Sequence, residues 1–116
     1  MFCLDDSMNY YLYPYPADMR KSFYTLSGIV TNSMGRNVQS GDVFIFLNRT
    51  LTNIKLLHME CGGLVIYHMK LEEGRFKLPS FDEETSCFVT SWQNLMQIIN
   101  SSANGKLIRK KRWKNR

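Results

Sequence analysis

The chain predicts an α+β domain: an antiparallel meander sheet of four to five strands, one long helix packed on it, a short C-terminal helix and a basic tail. Three observations predict it. Apolar runs recur between Asp42 and Leu71 with short polar or glycine turns between them. A helical apolar spacing stands before them, and the last eleven residues carry positive charge only.

In chain order, Asn9 to Tyr13 is aromatic-rich and stops at Pro14 and Pro16, which predicts a first strand. Asp18 then offers an N-cap. Met19, Phe23, Leu26, Ile29 or Val30, and Met34 follow at helical spacing, so a helix is expected from Met19 to Met34 with Gly35 as its stop. Residues 36–40 read as a loop. Asp42 to Arg49, Asn53 to Glu60 and Leu64 to Leu71 predict the meander, with Arg75 to Leu78 as a shorter fourth strand.

Val43 to Leu47 is apolar at both parities, the pattern of a central strand covered on both faces. Gly62-Gly63 suits a two-residue turn and Glu72-Glu73-Gly74 a three-residue turn. With Gly62-Gly63 as the turn, His58 falls opposite Tyr67 and Lys55 opposite Lys70, and Val43 or Asp42 comes near His58. Residues 79–86 form an acidic loop. Phe88 and Val89 add a strand segment. Ser91 caps a second helix with Trp92, Leu95, Met96 and Ile99 on one face. A linker over 101–105 leads to the tail, so the chain divides into one domain over 1–105 and a tail over 106–116.

Composition narrows the function classes. A hydrophobic share of 44% excludes a disordered chain. No apolar run approaches the roughly 18 residues of a membrane span, and the acidic N-terminus lacks the basic start of a signal peptide. Cys3, Cys61 and Cys87 are scattered and odd in number, which fits reduced thiols in a cytoplasm. With only His58 and His68 beside them, neither a metal site nor a cofactor is expected.

The net charge of +5 is unevenly placed. Lys106, Arg109, Lys110, Lys111, Arg112, Lys114 and Arg116 face no acid within the tail, while the other eight basic residues face ten acidic ones. The tail therefore predicts phosphate contact with nucleic acid without sequence readout, and Trp113 among the bases suits stacking.

Asp18, Asp42 and Glu60 are the acids that a metal-dependent cleavage would call on. Their expected places (a cap, a turn and a strand end) fit structural work better than catalysis. Arg20 and Lys21 are expected to open the first helix, where positive charge opposes the helix dipole and, with free backbone N–H groups, suits an anion. Asp42, His58 and Glu60 form a polar cluster. It reads as a hydrogen-bonded sheet histidine held by Glu60 or Asp42 in preference to a ligand-binding site, the alternative.

Several blocks at fixed spacing also carry a resemblance. They are Tyr13, Pro16 and Asp18-Met19-Arg20-Lys21; Gly41-Asp42-Val43-Phe44 with Phe46 and Arg49; Lys55-Leu56-Leu57-His58 with Glu60 and Gly62-Gly63; then Tyr67, Leu71-Glu72, Gly74, Phe76 and Ser91-Trp92. Over Tyr10 to Arg112 the chain resembles the TnpB accessory proteins, also called Orf2-like, of the sixty-six family of bacterial insertion sequences. Ser22 and Met59 depart from that pattern, which has Gly and Trp in those places.

The resemblance implies a non-catalytic accessory protein for transposition, since a separate, larger protein carries the strand-transfer chemistry in such elements. Its implied partners are DNA and the transposase of the same element. The residues expected to meet nucleic acid are Arg20, Lys21, Arg49, Lys55, Lys106, Arg109, Lys110, Lys111, Arg112, Trp113 and Lys114. A competing class is a single-stranded nucleic-acid or RNA-binding regulatory module, since a sheet with exposed aromatics and a basic tail also suits single strands.

Overall fold

The computed structural model describes residues 4–78 and 88–101. The expected acidic loop and basic tail, and nearly all of the linker, lie outside the described residues. The elements are β1 (Tyr10–Leu12), α1 (Phe23–Asn32), a 3-10 turn (Val38–Ser40), β2 (Val43–Leu47), β3 (Asn53–Glu60), β4 (Gly63–Lys70), β5 (Phe88–Thr90) and α2, a helix over 92–101.

The five strands make one sheet in the order β4-β3-β2-β1-β5. It is mixed, which corrects the expected antiparallel meander: β1 runs parallel to β2 while the other pairs are antiparallel. The reason is the order of elements. A strand, a helix and a strand in succession return the chain to the same end of the sheet, and such a crossover makes neighbouring strands parallel. The meander expectation holds for β2, β3 and β4, the three strands joined by short turns.

Layers follow from the alternation of side chains. On one face Tyr11, Phe44, Phe46 and Leu57 meet Leu26, Val30 and Met34 from α1 and the turn after it. On the other, Tyr10, Leu12, Val43, Ile45, Leu47, Ile54 and Leu56 meet Phe76 and, from α2, Leu95 and Ile98. All five residues of β2 are buried, as expected of a central strand covered on both faces. Ser91 caps α2 through a hydroxyl that accepts from the Asn94 N–H at 3.1 Å, also as expected.

Three expectations about elements are corrected. The first helix spans Phe23–Asn32 rather than Met19 to Met34, so the expected long helix is ten residues and no longer than α2. It begins behind a tight turn in which the Lys21 N–H donates to the Asp18 carbonyl at 3.0 Å. A continuous helix would turn the carbonyls of Met19 and Lys21 toward its own later N–H groups. Here they accept from the Lys55 ammonium. At the far end Gly35, at φ +67°, stops the helix as expected, and the Arg36 N–H closes on the Val30 carbonyl at 2.9 Å.

The expected fourth meander strand, Arg75 to Leu78, is irregular. The chain crosses the β2–β3 loop instead, where the Phe76 N–H donates to the Leu51 carbonyl at 2.7 Å and the ring is buried.

The third correction is the β3–β4 turn, which is Cys61-Gly62 rather than Gly62-Gly63. Both residues have positive φ, 51° and 83°, as a two-residue primed turn requires. His58 consequently lies opposite Val65 and Lys55 opposite His68. Moving the turn by one residue changes the register by two, so every side chain stays on its expected face.

Candidate functional site

Two polar groups of β3 sit on opposite faces of the sheet. On the α1 face Lys55, 7% exposed, reaches the turn before the helix, and its Nζ donates to the carbonyls of Met19 at 2.9 Å and Lys21 at 2.7 Å. Lys55 was expected among the nucleic-acid contacts. Its ammonium is turned inward instead, because the short strand-to-helix turn leaves two carbonyls without helical partners above it. It acts as an internal strut between the sheet and the 18–21 turn.

That turn also organises Arg20. The Asp18 carboxylate accepts from the Arg20 backbone N–H at 2.9 Å, from Nε at 3.0 Å and from Nη2 at 2.7 Å. The bonds from the Arg20 side chain, more than any other influence, hold the Asp18 carboxyl well below the usual carboxylate range, and the same pairing raises the Arg20 guanidinium. Asp18 therefore caps the 18–21 turn and not α1, whose N-cap is Ser22. Arg20 and Lys21 precede α1 rather than opening it.

On the α2 face His58 is 5% exposed. Its Nε2 lies 3.1 Å from the Gly41 carbonyl and its Nδ1 3.0 Å from Glu60 Oε2, the oxygen that also accepts from the Tyr67 hydroxyl. The Gly41 carbonyl and the Glu60 carboxylate flank the ring on its two nitrogen sides. Both ring nitrogens are thereby engaged, and the network ties the start of β2 to the end of β3.

Of the expected polar cluster, then, His58 and Glu60 come together and Asp42 does not. The Asp42 carboxylate accepts from Ser40 Oγ at 2.9 Å and Asn9 Nδ2 at 3.3 Å, while its neighbour Gly41 supplies the contact to His58. Asp18, Asp42 and Glu60 each have separate partners. Among the described residues, no group of three His, Cys, Asp or Glu side chains is arranged to hold a metal ion.

Arg49 is exposed in the β2–β3 loop. Asn48 shapes that loop, its Oδ1 accepting from the N–H groups of Thr52 at 2.9 Å and Asn53 at 3.0 Å. Tyr67, absent from the expected site residues, is the third member of the His58 network, on the face it shares with His58 and Glu60. The carbonyl partners of Lys55 were likewise unexpected, since no side-chain pattern encodes them.

On β4, His68 Nε2 lies 2.9 Å from Asn53 Oδ1. Burial first, and then the ammonium groups of Lys55 and Lys70, lower the His68 imidazole below its ordinary value. No described helix is long and apolar enough to cross a membrane.

No curated protein and no solved structure is significantly similar to the chain. The profile of the family described as IS66 Orf2 like protein matches residues 8–112, and with them the strut, the His58 network and the Arg49 loop. That span is nearly the whole chain, and it establishes that this protein belongs to the IS66 Orf2-like family of transposition-associated accessory proteins.

Proposed function

We propose that the chain is a non-catalytic accessory factor for transposition of a bacterial insertion sequence, acting through nonspecific DNA contact, through the transposase of the same element, or through both. Family membership over residues 8–112 is the observation that carries this reading. The charge distribution supports it: a domain over 1–105 with more acids than bases precedes a tail over 106–116 with seven bases and no acid. Such a tail binds phosphate backbones without reading sequence.

The non-catalytic part rests on the separate structural duties of Asp18, Asp42 and Glu60. The described contacts favour the accessory reading over a single-strand binding module as well. That module stacks bases on aromatics of an open sheet face, whereas Tyr10, Tyr11, Phe44 and Phe46 are buried beneath the two helices.

Co-expression with the transposase of the same element tests the partner. The chain is expected to co-purify with the transposase, and retention after nuclease treatment reads out direct protein contact. Loss on nuclease treatment would assign the association to DNA. Absence of any association, with or without DNA, would remove both arms of the proposal.

A further inference from the structure

Among the described residues β4 and β5 are the two edges of the sheet, and they are built differently. β5 is three residues long and β4 is eight. Because the β3–β4 turn has two residues, Glu60 and Gly63 form a hydrogen-bonded pair and the alternation continues along the hairpin. The backbone groups of Gly63, Val65, Tyr67 and Met69 therefore face β3, and those of Leu64, Ile66, His68 and Lys70 face away from it.

Proteins blunt such an edge with proline, charge, a bulge or a very short strand. Gly63 to Met69 contains no proline and no Asp, Glu, Lys or Arg, and its pairing with β3 runs without a bulge. A second observation adjoins this edge. Leu64 and Ile66 lie on the α1 face, and α1 has no charged residue from Phe23 to Asn32 although Tyr24 is 93% exposed. Solvated helix faces ordinarily carry charge.

We infer that β4 pairs antiparallel with β4 of a second copy of this chain, about a two-fold axis at Ile66, joining two sheets into one. The outward backbone groups of Leu64, Ile66 and His68 supply the ladder, with Leu64 opposite His68 of the second copy. Lys70 then faces the Gly62 turn of the other chain, so like charges do not meet. The axis is perpendicular to the sheet, which sets both α1 helices on the same face.

A second copy fits better than other strands for two reasons. An uncharged edge and helix meet their own copy without repulsion. Pairing β4 with β5 of another chain would use three residues and propagate head to tail, whereas β4 with β4 closes on itself.

Sedimentation and amide hydrogen exchange of the full chain test this. A dimer is expected, with the amides of Leu64, Ile66 and His68 slowing by about an order of magnitude or more as the protein associates. His68→Pro removes an N–H that faces away from β3, so it should give a folded monomer. A monomer at all concentrations would overturn the inference. So would protection of these amides that does not change with concentration, the mark of a cover from the same chain, or a dimer that leaves them unprotected. If His68→Pro fails to fold, exchange in the unaltered chain decides alone.

Discussion

Deleting residues 106–116 is expected to abolish most of the affinity for duplex DNA. The deletion removes seven bases and no acid, and leaves eight bases against ten acids. A phosphate contact contributes about −0.9 to the slope of log affinity against log salt, so seven engaged bases give a slope near −6. The truncated chain should show a slope close to zero. Within the domain, Arg20 is paired with Asp18 and the Lys55 ammonium is buried, so neither replaces the tail. The check is a salt titration of both forms on one duplex. Equal affinity and equal slope would locate DNA contact elsewhere or nowhere.

Lys55→Met is expected to destabilise the fold by about 2–4 kcal/mol, since hydrogen bonds to a charged group are worth roughly 1.5–3 kcal/mol each and the relieved burial of the ammonium offsets part of that loss. The change keeps most of the apolar stem. It removes the donor to both the Met19 and Lys21 carbonyls, which then lie near the sheet without it. Thermal unfolding measures the loss.

A second readout is specific to the charge. Lys55 is one of the ammonium groups that lower the His68 imidazole, so in the variant His68 should titrate at a higher pH by NMR. Unchanged stability would mean that the strut does not hold the 18–21 turn. Unchanged titration would place the ammonium farther from His68 than the sheet register indicates.

Much of the sheet was legible in the sequence because period-two burial and turn chemistry are local signals. Apolar residues at both parities from Val43 to Leu47 marked β2 as central, as its burial bears out, and the limits of β3 were read to the residue. The neighbour of β1 was not legible from its own three residues. Pairing is a long-range choice, and only the strand-helix-strand order indicated a parallel partner.

Met19 to Lys21 looked helical because Met19 continues the apolar spacing. Tertiary hydrogen bonds from Lys55 outweigh that local preference. At the site, the face shared by His58 and Glu60 could be read from parity. The substitution of the Gly41 carbonyl for the Asp42 carboxylate could not, because backbone acceptors leave no trace in residue type.

The central claim, an accessory role in transposition, is tested most directly by transposition frequency in cells. The comparison uses an element that keeps its transposase but carries an inactivated copy of this gene, with and without the chain supplied in trans. The account predicts a marked fall in frequency on inactivation and recovery when the full chain is supplied. An undiminished frequency in the absence of the chain would contradict it.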